Sequence, residues 1–505
     1  TAMAASMKDA EAAETAARAA DTERAKTPAK AVAGRSRLLP FAVISITYLL
    51  FTVTDGALRM IVLLHAYNQS FSAMQVATMF TLYECAGVVT NLAAGFAGAR
   101  WGIRVTLVTG LCLQLLAYGM LFGWQEEWGQ GTAILYVTIS QMWGGIAKDL
   151  TKLGGKTVTK LVTPEEKTSQ LFKLVSLLTG WKNSLKGVGY FLGSALLLWS
   201  YEAALAAMMA LVAVALPFAI FGLDASLGTT KKSNATCRQV FVTGNANLNW
   251  LSLARCFLFA SRDFWFEVPL PFFLRSPSCL NDLAGELDEL ASGDLAGDSE
   301  RCGGLGWSRV AVGAILGAYI IVYGQCQSWT PQLVLQPLGQ SPPNKQTEIL
   351  WGVINCIPTA VMAAVCYGYG GAAADGEAAS AVPYWLMTAV VCFALIFAVN
   401  SAVHSFLLVH YAKADKVAQS VGFYYMSNAC GRLLGTIGSG ALYTYSGDDA
   451  LRGLGACFIA GTISSALAAL ITLRITDDAA GLRCGSCICV AAQGGPSLEK
   501  STSGE

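Results

Sequence analysis

Apolar runs of roughly 20 residues recur along this chain from residue 39 to residue 475, separated by short charged or Gly/Pro-rich breaks. A run of that length carries a helix across the hydrocarbon core of a bilayer, about 30 Å thick. Marking the runs predicts twelve helices, at 39–66, 71–97, 103–124, 132–153, 168–199 and 201–223, then 248–275, 307–330, 347–370, 383–411, 418–445 and 451–475. The polar stretch 224–247 divides them into two sets of six. The expected architecture is all-α and embedded in a lipid bilayer. It comprises an N-terminal tail (1–38), a six-helix bundle (39–223), a cytosolic linker (224–247), a second six-helix bundle (248–475) and a C-terminal tail (476–505).

Composition sharpens this. Of the 505 residues, 54% are hydrophobic and 13% charged, with a mean hydropathy of +0.49, whereas soluble domains carry about 25% charged residues. A net charge of +1 supplies no basic field for phosphate backbones, so no nucleic-acid partner is expected. Charge placement sets orientation through the preference of basic residues for the cytosolic side. One set of connections holds Arg100 and Arg104, then Lys156, Lys160 and Lys167, then Lys231, Lys232 and Arg238, then Lys345, Lys413 and Lys416. The other holds Glu126, Glu127, Glu202, Asp375, Glu377, Asp448, Asp449 and the acidic loop 276–306. Both termini are therefore expected in the cytosol. Residues 1–37 mix basic and acidic side chains among alanines, which suits a disordered tail better than a transit peptide.

The fifteen cysteines are scattered, and most fall inside apolar runs, where Cys acts as a small hydrophobe. Cys279 and Cys302 share the acidic loop and can pair if it faces an oxidising compartment. Cys484, Cys487 and Cys489 in "CGSCIC" leave metal ligation, lipid attachment and an unmodified disordered tail open, with the tail preferred. Neither a metal site nor a cofactor is expected.

Charges deep within apolar runs are expensive and usually functional. The first run carries Asp55 and Arg59, four apart on one face and read as a pair; the second carries Glu84 and Asn91. The fourth ends in a ladder of lysines, Lys148, Lys152, Lys156 and Lys160, with Asp149 beside the first. Gly154 and Gly155 are expected to end or loosen that helix, leaving Lys148 and Lys152 facing a cavity and the other two at the inner surface. The GGKT within it lacks both the glycine and the strand that a phosphate-binding loop requires. The fifth run holds Lys182 and Lys186, the seventh Arg255, Arg262, Asp263 and Glu267, and the eleventh Asn428 and Arg432. Eight basic groups stand against five acids, which points to a cavity for a multiply charged anion. Arg59, Lys148, Lys152, Lys182, Lys186, Arg255, Arg262, Asn428 and Arg432 are the expected binding residues. Asp55, Glu84, Asp149, Asp263 and Glu267 are the expected coupling or ion-pairing residues. His404 and His410 share the tenth run and read as packed residues rather than metal ligands.

The stretch "GFAGARWGIR" (95–104) resembles the loop signature of the major facilitator superfamily at Gly95, Arg100, Gly102 and Arg104, with Ala99 where that signature has Asp. It implies a tight glycine turn that moves with conformation; the plain alternative is an ordinary basic inner turn. Within that superfamily the chain resembles the ArsJ-type organoarsenical efflux permeases. The matching stretches are "FTVTDGALRMIVLLHAY" (51–67), "LYECAGVVTNLAAGFAGARWG" (82–102), "GGIAKDLTKLGGKTVTKLV" (144–162), "LLTGWKNSLKGVGYFLG" (177–193), "LSLARCFLFASRDFWFEVPLPFFL" (251–274) and "VGFYYMSNACGRLLGTIGSGALY" (421–443). The resemblance implies no enzymatic activity but secondary transport: export of 1-arseno-3-phosphoglycerate, made when glyceraldehyde-3-phosphate dehydrogenase uses arsenate, and hence arsenate resistance. A transporter or exchanger of another organophosphate has the same requirements. The long N-terminal tail, the acidic loop and the cysteine-rich tail depart from that family's pattern and leave the plasma membrane, ahead of the vacuolar membrane, as the expected address.

Overall fold

The computed structural model describes residues 43, 46–162, 168–223, 245–277, 303–369, 376–411, 417–447, 449–476, 481–485 and 487–490; over short stretches, 94–103 and 153–162 among them, only the backbone is described. Polar residues at the breaks between apolar runs cap the helices they precede. Ser72 and Gln75 form a capping box ahead of α2 (Ala73–Met79), and Ser200 accepts from the amide of Ala203 to start α6 (Tyr201–Phe221). Asn245, Ser308, Asn344 and Asp449 do the same for α7 (Ala246–Asp263), α9 (Arg309–Thr330), α10 (Lys345–Ile354) and α14 (Ala450–Thr472). The other helices are α1 (Ile46–Asn68), α3 (Thr81–Leu121), α4 (Gln130–Val162), α5 (Thr168–Leu196), α8 (Pro269–Arg275), α11 (Cys356–Tyr369), α12 (Gly376–Tyr411) and α13 (Val417–Tyr445). Each of the twelve predicted runs has its helical counterpart.

The second and third runs form one unbroken stretch of helical residues, α3, where a loop was expected at 95–104. Contacts with α4 show that the stretch doubles back. On one side, Gly145 packs on Tyr83, Asp149 lies beside Gly87 and Lys152 reaches Asn91, so both chains advance together. On the other, Tyr136 donates to Met120, Ser140 donates to Ala117 and Thr151 packs on Gly110, so the partners recede. The reversal falls between 91 and 104, and the side chains of Gly95, Arg100 and Gly102 lie outside the described residues.

Among the described residues, seven helical segments are long and apolar enough to cross a membrane: Ile46–Asn68, Arg104–Leu121, Tyr201–Phe221, Arg309–Leu335, Lys345–Gly368, Val382–Leu408 and Ala450–Thr472. The spans missing from that set are the first part of α3, α4, α5, α7–α8 and α13, and these carry most of the charges described below. Helix α9 runs on as a π-helical turn, Pro331–Leu335.

Two further expectations are corrected. Gly154 and Gly155 do not end α4, which continues to Val162. The seventh run is not one helix: α7 stops at Asp263, a turn follows, and Pro269, with no amide hydrogen to donate, opens α8. The C-terminal tail also contains structure, an antiparallel hairpin of Leu482–Cys484 with Cys487–Val490, whose turn residue Gly485 donates its amide to the Leu338 carbonyl. The pair Cys279 and Cys302, and most of the acidic loop and linker, lie outside the described residues.

The two halves meet along small residues, the usual means of bringing membrane helices close. Helix α5 packs on α9 so tightly that a Cβ on Gly187 would sit 2.5 Å from the Gly317 carbonyl, and one on Gly180 would collide with Gly324 and Ser328. Asn183 donates to Gln327 across this seam at 2.7 Å. At the end where α1 and α8 finish, Met74 donates its amide to Thr444, Gly440 packs on Ala77, and Tyr67 meets Phe272 edge-on, with ring centres 5.1 Å apart. That end is closed between the halves.

Candidate functional site: a charged cavity between the two halves

A cavity of ≈ 110 Å³ opens between the halves on the opposite side of that seal, several times the space one water needs. Its lining comes from α1 (Tyr48, Phe51, Thr52, Asp55), α3 (Glu84, Asn91), α4 (Lys148, Asp149, Lys152), α5 (Thr179, Lys182, Asn183, Lys186), α7 (Arg255, Phe259, Arg262), α9 (Ile320, Tyr323), α12 (Ser401) and α13 (Tyr425, Asn428, Ala429, Arg432). Eight of the nine expected binding residues line it. Arg59 stands behind the wall, 4% exposed.

The charges sort into two groups. At the closed end, a network ties the halves together through buried carboxylates. Arg59 on α1 lies 3.0 Å from Glu267 and 3.4 Å from Glu84. Arg432 on α13 reaches Glu84 at 2.9 Å, and Asp263 and Glu267 each at 3.2 Å. Arg262 completes it at 2.6 Å from Asp263 and 3.7 Å from Glu267. The break between α7 and α8 is what turns Asp263 and Glu267 into this network, since both flank or occupy the interrupted turn. Broken helices at the midplane of transporters serve similar ends. The expected Asp55–Arg59 pair does not form. Asp55 instead accepts from the Tyr83 hydroxyl at 2.6 Å, and Arg59 turns away toward the two glutamates and the Phe80 ring. The Arg262–Asp263 pair does form.

Along one wall, Lys148 sits over the Tyr83 ring, 3.9 Å from its centre and 3.9 Å from Glu84. Lys152 contacts Asp149 and Asn91, both at 3.4 Å, and lies over Tyr425. The second group is different. Among the described residues, Lys182, Lys186 and Arg255 have no carboxylate within ion-pairing distance. Arg255 has only neutral acceptors, Asn428 at 3.2 Å and Ser401 at 3.3 Å, and stacks on Phe259. Lys186 has the Tyr190 ring. Cations held within apolar spans without an ion-pair partner are costly, and a bound anion removes that cost. The lining offers nitrogen and oxygen groups and no thiol.

Sequence reasoning missed Tyr48, Thr52, Thr179, Asn183, Tyr323, Ser401 and Tyr425, uncharged residues in apolar spans. Asn183 was readable, because it adjoins Lys182. It also missed Glu348, which is 2% exposed and lies 2.8 Å from His404. His410 packs against Phe406 and Tyr411, away from the cavity. Among the described residues no group of His, Cys, Asp and Glu is arranged to hold a metal ion.

No protein-family model and no curated protein matches the sequence. Solved structures do match. The nucleoside transporter NupG is similar at 12% identity, over 88% of this chain and 100% of its own, with a TM-score of 0.57. A bacterial homologue of the iron transporter ferroportin, outward-facing, is similar at 14% identity over 86% and 98%, with a TM-score of 0.59. A proton-dependent oligopeptide transporter is similar at 12% identity over 86% and 97%, with a TM-score of 0.58. At that identity the likeness concerns fold alone: two six-helix bundles around a central cavity, the fold of the major facilitator superfamily.

Proposed function

We propose that this protein is a secondary transporter that moves a small, multiply charged, phosphate-like organic anion by alternating access. The observation that carries this reading is the trio Lys182, Lys186 and Arg255, two half-buried lysines and a buried arginine on opposing walls of one cavity, with no carboxylate within ion-pairing distance among the described residues. An anion held by lysines from the first half and an arginine from the second neutralises both walls and draws them together. The ion-pair network of Arg59, Glu84, Asp263, Glu267 and Arg432 closes the far end while the cavity is open and separates when the halves rock. Lys148 and Lys152 guide the anion in. With the N-terminus in the cytosol, the cavity faces the cytosol and the direction is export across the plasma membrane.

The first candidate substrate is 1-arseno-3-phosphoglycerate, supplied by glyceraldehyde-3-phosphate dehydrogenase acting on arsenate. It carries two oxyanion ends and no positive group, and a lining of nitrogen and oxygen groups suits both. The test is uptake into everted vesicles of the labelled compound, generated in place by the dehydrogenase and arsenate. Accumulation that requires both reagents supports the arsenical reading. Accumulation of 3-phosphoglycerate instead, with none of the arsenical, keeps the anion transporter and removes the arsenic.

A further inference from the structure

One buried acid–base pair stands outside the cavity and its ion-pair floor. Glu348 opens the first turn of α10, and its side chain is 2% exposed. The His404 Nε2 on α12 lies 2.8 Å from its Oε1, with the imidazole fully buried. Two lone pairs at that distance repel, so the contact calls for a proton on one of the two groups. Neither ring nitrogen makes a well-aligned hydrogen bond, which leaves Nδ1 open to a second proton. With its amide nitrogen toward the carboxylate, Asn400 donates to both Glu348 oxygens, at 2.5 and 3.2 Å, and accepts from the Gly352 amide at 3.3 Å. The pair thus carries one net negative charge with Nδ1 bare and none with Nδ1 protonated.

The surroundings tie this pair to the cavity. Ser401, next to Asn400, lines the cavity and accepts from Arg255 and from the Tyr323 hydroxyl. The Tyr424 ring lies 5.1 Å from the Arg255 guanidinium and 6.5 Å from the His404 ring. From α7 the pair faces Arg255, and from α13 Tyr424. Helix α14 presents the uncharged Ser465 and Ala469 to α10. Arg255 is the charge that acts on both Glu348 and His404. An apolar cluster that includes Leu248, Leu251, Val399, Val403 and Leu407 packs beside them.

We propose that the Glu348–His404 pair is the proton-binding site of the transport cycle and that Arg255 links it to the anion. While the cavity is empty, the charge on Arg255, acting from beyond ion-pairing distance, favours the negative state of the pair. When an anion neutralises Arg255, the pair takes up a proton at His404 Nδ1, so anion and proton bind cooperatively and move together. By reciprocity, protonating the pair strengthens anion binding by the same factor. Glu84, Asp263 and Glu267 are unsuited to the role, because each is already held by arginine. The proposal rests on the anion reading above.

The test is calorimetric titration of the purified full chain with 3-phosphoglycerate, in buffers of differing ionisation enthalpy. Expected is uptake of about one proton per anion, with affinity rising up to about tenfold per unit fall in pH across the pair's titration. Glu348→Gln and His404→Gln keep saturable binding, which also reports that they are folded, and lose the uptake. Binding by the unaltered protein without proton uptake, or uptake retained in both variants, overturns the coupling site alone. No binding of the phosphate ester by the unaltered protein overturns the anion reading and the coupling site with it.

Discussion

The cavity and its closed end contain the same kinds of residue, buried in the same fold, yet they are charged in different ways. At the closed end, Arg59, Arg262 and Arg432 share Glu84, Asp263 and Glu267 at 2.6–3.7 Å. In the cavity, Lys182, Lys186 and Arg255 face one another's walls with amides, hydroxyls and rings as their direct contacts and, among the described residues, no carboxylate within ion-pairing distance. A satisfied ion pair can be replaced by apolar packing with little loss, but a half-removed one leaves a charge stranded. A cation that never had a partner behaves in the opposite way: removing it relieves the empty protein and deprives the ligand. The same mutation type should therefore have opposite consequences in the two regions.

The largest effect is expected in the network. Glu267→Ala leaves Arg59, Arg262 and Arg432 to share Glu84 and Asp263, one buried positive charge in excess, and should cost about 3–5 kcal/mol, seen as lost yield of monodisperse protein in gel filtration. Lys182→Ala should leave surface expression intact and abolish export, with anion affinity lowered by about 1.5–3 kcal/mol, the range for a hydrogen bond to a charged group. If the lysine variant instead aggregates, the two regions are not different in kind. Gly187→Ala sharpens the comparison, since Gly187 follows Lys186 and its new methyl group would press on the Gly317 carbonyl. Parting α5 from α9 should cost about 1–3 kcal/mol of thermal stability and weaken anion binding through the displaced lysine. The smallest effect belongs to Tyr83→Phe, which removes the 2.6 Å hydrogen bond to Asp55. It should shift stability by about 1 kcal/mol with transport retained.

The helices were legible because apolar length is dictated by the bilayer, and the caps Ser72, Ser200, Asn344 and Asp449 mark where it stops. The membership of the cavity was legible for a related reason. A charge in an apolar span has few alternatives to a polar interior, so Lys182, Arg255 and Arg432 announce themselves. Pairing was not legible. Asp55 and Arg59 are four apart on one helix, which made a local pair plausible, but tertiary neighbours on α3 and in the turn between α7 and α8 outcompete it. The interruption at Phe264–Val268 was also hidden, since "DFWFEVPLPFF" is apolar apart from the two carboxylates that need the break. Glu348 escaped notice because a carboxylate at the start of an apolar run reads as a capping charge at the membrane surface, and only the packing of α12 against it reveals the buried partner.

The central claim, that three unpartnered cations make an anion site, is tested most directly by titrating 3-phosphoglycerate into the purified protein and into the Lys182→Ala/Lys186→Ala/Arg255→Ala variant. The account predicts saturable binding by the first, none by the second at the same concentrations, and an unchanged elution profile for both. Equal binding by a folded triple variant would contradict it.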